Sequence, residues 1–94
     1  SNTPLQALTL LNDPVFGEMA AAFAERVRRE GGVSDEERLR FAWKVCFGRS
    51  GSEAELTRLQ QYFDAQRDTN QDESAVWTNL ASVLLNLHEF ITRD

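Results

Sequence analysis

The chain has 94 residues and a formal net charge of −5, with 41% hydrophobic and 27% charged residues. This length fits one domain with a modest core, and the balance of apolar and charged residues is typical of a globular protein. The negative charge disfavours a nucleic-acid partner, because phosphates attract basic surfaces. No apolar run approaches the ~20 residues that span a bilayer, so membrane insertion is not expected.

The chain begins with Ser1-Asn2, and Met19 is its sole methionine. No signal-peptide pattern is visible. We therefore expect residues 1–94 to form one domain that is a piece of a longer protein. Ser1 and Asn2 are either native residues or the remnant of a tag.

Basic residues concentrate in the middle of the chain. Residues 26–49 hold seven basic groups against four acidic ones, whereas the rest of the chain holds three basic and eleven acidic groups. This pattern favours charges that are solvated or paired within the molecule. The alternative is a docking face for an acidic partner, since arginine pairs well with carboxylates.

The first two predicted helices meet at Asn12-Asp13-Pro14. The first begins at Thr3, where Thr3 and Gln6 form a capping box and proline occupies the first helical position. Asp13 is a natural N-cap for the second helix, which is predicted over about residues 14–30 and ends at two glycines. Apolar residues at helical spacing predict its buried face: Phe16, Met19, Ala20, Phe23 and Val27.

Three further helices are predicted after that point. Capping boxes at Ser34–Glu37 and Ser52–Glu55 start two of them, and Asp72 or Ser74 starts the last, over about residues 73–92. The last helix is apolar around much of its girth, so we expect it to be central. No segment alternates with period two. The predicted fold is an all-α compact bundle of about five helices with short loops, and its expected core includes Phe23, Trp43, Leu80 and Leu84.

The residues provide no recognisable active site. Cys46 and His88 lie far apart in the chain on apolar stripes, so each is interpreted as a structural residue rather than a metal ligand, nucleophile or base. The paired carboxylates stand at helix starts, where capping explains them. We therefore predict no catalytic residues, no metal, no cofactor and no small-molecule ligand for this domain.

Five polar residues are candidates for a structural or interaction role. Arg49 lies between two glycines, where it could bond helix-end carbonyls or bind an anion. Asn86 and Glu89 lie on the apolar last helix, and such groups need partners if they are buried. Backbone groups around Asn12-Asp13-Pro14 or Asn2-Thr3-Pro4 could supply these partners, which would make Asn86 and Glu89 structural clasps. The alternative is a ligand site shared with the rest of the parent protein. The candidates are Asn12, Asp13, Arg49, Asn86 and Glu89.

The order of these motifs resembles a known family. The motifs are Asn2-Thr3-Pro4-Leu5-Gln6-Ala7-Leu8, Leu11-Asn12-Asp13-Pro14, Gly48-Arg49, Leu85-Asn86 and Glu89-Phe90. They look like the C-terminal end of the planctomycete-specific domain of unknown function. The resemblance implies a large exported or envelope-associated protein, commonly with cytochrome-c-like modules and a companion domain upstream, and it implies no reaction. The family's turn reads Gly-Arg-x-Pro, and Gly51 stands here in place of the proline.

Two functional classes follow. The first is a non-catalytic structural or protein-interaction module that closes the C-terminus of a multidomain exported protein, with upstream domains of the same polypeptide or another protein as its partner. The second is a subdomain of an enzyme, polysaccharide-degrading or redox-linked, whose active site is completed by other parts of the parent chain. A cleft lined by Arg49, His88 and Glu89 would favour the enzyme. The sequence leaves the partner, the substrate and the oligomeric state open.

Overall fold

Four α-helices make up the part of the chain that the structure describes. A computed structural model describes residues 13–70 and 72–92, with side chains of the last helix described as far as His88. The helices are α1 (Pro14–Glu30), α2 (Asp35–Phe47), α3 (Glu53–Thr69) and α4 (Glu73–Thr92), and these ranges contain no strand. The all-α class and the positions of these four helices are confirmed. The helix predicted from Thr3 to the Asn12 corner lies outside the described residues.

The helix starts follow the predicted side-chain chemistry. The Asp13 carboxylate accepts the Val15 N–H at 2.8 Å and begins α1. Reciprocal capping boxes at Ser34–Glu37 and Ser52–Glu55 begin α2 and α3, because each serine hydroxyl and each glutamate carboxylate accepts a backbone N–H of the other residue. Gly48 ends α2 in the left-handed conformation (φ 73°), which strains residues that carry a Cβ.

Helix α4 is the centre of the bundle, since it contacts α1, α2 and α3 and contributes more buried core residues than any other described helix. Helix α1 runs antiparallel to it. The C-terminal turn of α1, with Arg28, lines a groove with Ser74 near the start of α4, whereas Met19 shares a groove with His88 near the other end of α4. None of the described helices has the length and apolar character needed to cross a membrane.

The core forms around α4. Phe63 and Trp77 are fully buried with ring centroids 4.5 Å apart, which joins α3 to α4. The predicted core positions Trp43, Leu80 and Leu84 are buried as expected. The remaining buried hydrophobic residues are Phe16, Ala20, Ala24, Val27, Leu39, Ala42, Leu59, Val76 and Ala81.

The prediction of the buried face of α1 is wrong for one residue, and a second residue is less buried than predicted. Met19 is 53% exposed, and Phe23 is only partly buried at the edge of the core. The contact line instead follows Ala20 and Ala24, both buried. These small side chains let α1 approach α4 closely, so bulkier residues on either side of the line remain partly outside the interface.

Candidate functional site

An apolar groove runs between α2, α3 and α4 in the described part of the chain, and its aromatic and aliphatic lining suits contact with another molecule. Arg49, Glu55 and Arg58 are polar residues in its lining. Val83 and Leu87 are 37% and 36% exposed, and they stand one helical turn apart on α4. We call this surface the apolar groove; its other lining residues are Trp43, Phe47, Leu59, Tyr62 and Leu84.

A line of ring contacts leads from Arg49 to His88. The Arg49 guanidinium lies 5.7 Å from the centroid of a Trp43 ring, the Trp43 and Phe47 centroids are 4.5 Å apart, and those of Phe47 and His88 are 5.8 Å apart. Arg49 lines the apolar groove, whereas His88 lines a different groove with Phe23 of α1. Glu89, the third residue of the cleft that would favour an enzyme, has its side chain outside the described part of the chain.

Arg49 binds a carboxylate. Its Nη1 and Nη2 donate to the two carboxylate oxygens of Glu55 at 2.9 and 2.8 Å, and Nη1 also donates to the Ser50 carbonyl at 3.1 Å. This partner differs from the predicted helix-end carbonyls. Because Glu55 also completes the capping box with Ser52, one carboxylate ties the α2–α3 turn to the first turn of α3. The Arg49 hydrogen bonds, followed by the Ser52 backbone N–H, lower the pKa of Glu55 to about 2.

This pairing predicts an acid-dependent loss of stability. A carboxyl group whose pKa is lower in the folded state stabilises the fold above its unfolded pKa, and that contribution is lost as the pH falls through the folded pKa. The contribution of Glu55 should therefore decrease between about pH 4.5 and pH 2. Thermal unfolding followed against pH should show a shallower acid decline for Glu55→Gln than for the wild type. Glu53→Gln, a neighbouring exposed change, should follow the wild-type curve; equal slopes for all three proteins would contradict the pairing.

The structure shows a second charge cluster that the sequence analysis missed. Arg67 of α3 donates to Asp35 at the start of α2 at 2.7 Å and to both carboxylate oxygens of Glu73 at the start of α4, at 3.0 and 2.9 Å. Its guanidinium also lies 4.5 Å from the Phe63 ring centroid. These contacts raise the pKa of Arg67, with the Asp35 hydrogen bond as the largest cause. The cluster ties three helices together at one end of the bundle, which is a structural role.

Among the candidate residues, Asn86 has a buried polar group without a hydrogen-bond partner in the described ranges. Its side-chain oxygen is buried and accepts no hydrogen bond from any group in residues 13–70 and 72–88. Asn12 and the Glu89 side chain lie outside the described part, so the predicted clasp remains a prediction. Asp13 acts as the N-cap of α1, and within the described ranges no hydrogen bond or ion pair joins Asp13, Arg49 and Asn86.

Cys46 has the character of a structural thiol. Its Sγ donates to the Leu84 carbonyl at 3.4 Å, and burial raises the pKa of the thiol to about 11. Because the thiolate is the reactive form, this thiol is a weak nucleophile near neutral pH. No group of three or more His, Cys, Asp or Glu side chains able to hold a metal occurs among the described residues.

From the sequence, we predict that the purified domain binds neither metal nor haem. Elemental analysis of protein prepared without chelator should find no stoichiometric zinc or iron. A visible absorption scan should show no Soret band. Stoichiometric zinc, or a haem spectrum, would contradict this prediction.

Much of the basic segment is neutralised within the molecule. Arg26 pairs with Glu30, Arg29 with Glu25, and Arg40 with Glu36, each one helical turn apart. Together with Arg49 on Glu55, these pairs agree with the prediction that most charges in this segment are satisfied internally or by solvent. Exposed pairs of this kind contribute little to stability.

Comparison with known proteins identifies a family and no individual relative. The chain matches neither a curated protein nor a solved structure. A family model described as "PSD1: Protein of unknown function (DUF1553)" matches residues 1–63, which is more than half of the chain. The chain therefore belongs to the PSD1 family, a family of unknown function.

Proposed function

We propose that this domain is a non-catalytic structural and protein-interaction module that holds a segment of polypeptide in the apolar groove. The observation that carries the proposal is the composition of that groove. Aromatic side chains and arginine are the residue types enriched in protein interfaces, and Trp43, Phe47, Tyr62 and Arg58 meet there beside exposed Leu87.

The occupant that best fits the groove is an amphipathic helix that carries an acidic residue. The groove lies between three helices, and apolar side chains of a further helix would fill it in the usual helix-in-groove mode. Arg58 makes no ion pair with any group in the described ranges, whereas the neighbouring Arg49 is paired with Glu55. A carboxylate of the partner helix could form an ion pair with the Arg58 guanidinium.

The resemblance of the terminal motifs to the family supports a proposal about the larger protein that contains this module. On that basis we propose that the domain lies at the end of a multidomain, exported or envelope-associated planctomycete protein with cytochrome-c-like modules. The partner helix then belongs to upstream domains of the same polypeptide or to another protein. The alternative of an enzyme subdomain gains no support from the described residues, because Arg49 and His88 line different grooves.

Methyl NMR tests the proposal. Signals of Val83 and Leu87 are compared between the 94-residue domain alone and the same domain, segmentally labelled, within the longer polypeptide and its native complex. We expect both residues to shift and to lose accessibility to a soluble paramagnetic agent, while Val33, 92% exposed and outside the groove, stays accessible. Unchanged accessibility at Val83 and Leu87 would contradict the proposal. Shifts of these signals on addition of soluble oligosaccharides would instead favour the enzyme subdomain.

A further inference from the structure

A second groove, at the other side of the bundle, is lined by arginines from two helices. Arg28 and Arg29 come from the last turn of α1 and Arg38 from the start of α2, while Ser74 and Thr78 of α4 are also in the lining. Ala21 and Ala24 add only small side chains, which leaves space between the longer ones. We call this surface the arginine groove. We infer that it binds the carboxylates of an acidic polypeptide segment, an inference that rests on the proposed role as an interaction module.

The charges in the arginine groove are only partly balanced. Arg29 pairs with Glu25 at 3.3 Å and with Glu30 at 3.1 Å. Arg28 forms no ion pair within the described ranges. Arg38 uses only its Nε, which donates to the Gly32 carbonyl at 3.2 Å, and its two terminal nitrogens have no acceptor in the same ranges. Two guanidinium groups therefore remain available in one groove of a chain whose net charge is −5.

The helix dipole explains only part of this arrangement. Cations at the C-terminal turn stabilise a helix, which accounts for Arg28 and Arg29 at the end of α1. Arg38 stands near the start of α2, where the dipole does not favour a cation. Ser74 and Thr78 add hydroxyl groups that make no side-chain hydrogen bond to any described residue, so they are available to a ligand. Free donors from three helices thus converge on one space.

Carboxylates of a polypeptide suit this groove better than a dense polyanion. Guanidinium groups bind carboxylates in a bidentate manner, and the groove provides two of them beside Glu25, which pairs with Arg29. Acidic side chains spaced along a peptide can reach both arginines while avoiding Glu25. Nucleic acid or a sulfated polysaccharide would bring closely spaced negative charges against an acidic molecule, and the long-range repulsion would oppose binding.

Binding of a short fluorescent peptide, in which glutamates are separated by serines, to the 94-residue chain at about 0.1 M ionic strength tests this inference, with fluorescence anisotropy as the readout. We expect the double variant Arg28→Gln/Arg38→Gln to bind at least about tenfold more weakly, since the loss of even one charge-assisted hydrogen bond costs about 1.5–3 kcal/mol and 1.4 kcal/mol is tenfold. Arg40→Gln/Lys44→Gln removes the same charge at exposed positions that line neither groove, and it should bind within about twofold of the wild type, because it removes no donor that faces the bound peptide.

Three results would overturn the assignment: no binding of the spaced-glutamate peptide, equal weakening by the two double variants, or tighter binding of heparin than of this peptide through Arg28 and Arg38. Heparin preference would mean that the groove recognises an anionic polysaccharide. The outcome is separable from the proposed function, because Val83 and Leu87 report on the apolar groove and neither lines the arginine groove. If the Val83 and Leu87 methyl groups stay accessible while the spaced-glutamate peptide binds tightly, only the apolar-groove proposal is rejected.

Discussion

Leu84→Ala should lower the free energy of unfolding by about 2–5 kcal/mol. Leu84 is 1% exposed, it lies on the central helix α4, and it belongs to the buried core cluster. Truncation removes its apolar contacts and leaves a cavity that neighbours fill only in part, which explains the size of the effect. Urea unfolding followed by circular dichroism measures it.

Leu87→Ala is the matched control for this prediction. It makes the same chemical change three residues along α4, at a side chain that is 36% exposed. We expect a clearly smaller loss there, because much of the Leu87 side chain is already in water. A loss below about 1 kcal/mol for Leu84→Ala, well under the range for a buried leucine, would mean that α4 is peripheral.

Asn86→Ala should destabilise the protein by about 1–3 kcal/mol, the cost of leaving a hydrogen-bond partner unsatisfied. The Asn86 oxygen is buried without a donor in the described ranges, so the sign of the effect shows whether a partner exists elsewhere. If the oxygen were unpaired in the folded protein, its removal would be neutral or stabilising. Asn79→Ala, an exposed change on the same helix, should have a smaller effect although Asn79 donates to Gln66 at 2.9 Å.

Removing residues 1–12 locates the partner of Asn86. The Val15 N–H bonds the Asp13 carboxylate and the Gly17 N–H bonds the Asp13 carbonyl, so neither amide is a free donor for Asn86. Donors in the Asn2-Thr3-Pro4 motif or at Asn12 remain in the prediction. A double-mutant cycle combines Asn86→Ala with deletion of residues 1–12. We expect the two losses in free energy of unfolding to be non-additive, because changes within one hydrogen-bond network couple. Full additivity would contradict the clasp and favour Asn86 as a binding residue for the rest of the parent protein.

Local chemistry predicted the helices well. Asp13, Ser34 and Ser52 each cap the helix that follows, and these interactions span only two or three residues, so they can be recognised in the sequence. The stripe on α1 was less informative, because periodicity shows which face is apolar but not how far a neighbouring helix covers it. Met19 therefore lies outside the contact line that Ala20 and Ala24 define.

The charge clusters and grooves could not be predicted from the sequence, because they form only when the helices pack together. Arg67 reaches Asp35, 32 positions away, and no helical spacing indicates that contact. The Arg49–Glu55 pair crosses the α2–α3 turn, whose backbone path the sequence does not specify. The apolar groove also brings Phe47, Tyr62 and Leu87 together from three helices, so only the packed bundle shows that these side chains share one surface.

Site-specific photo-crosslinking at Leu87 tests the central claim, that this PSD1 domain holds a polypeptide segment in the apolar groove. A photoreactive residue replaces Leu87 in the full-length protein in its native cells, and the control replaces Thr57, an exposed α3 residue that does not line the groove. We predict that Leu87 crosslinks to one amphipathic helical segment with an acidic residue, identified by mass spectrometry, and that Thr57 does not. Crosslinking at Leu87 no stronger than at Thr57, or only to a carbohydrate or a second copy of the domain, would contradict the claim.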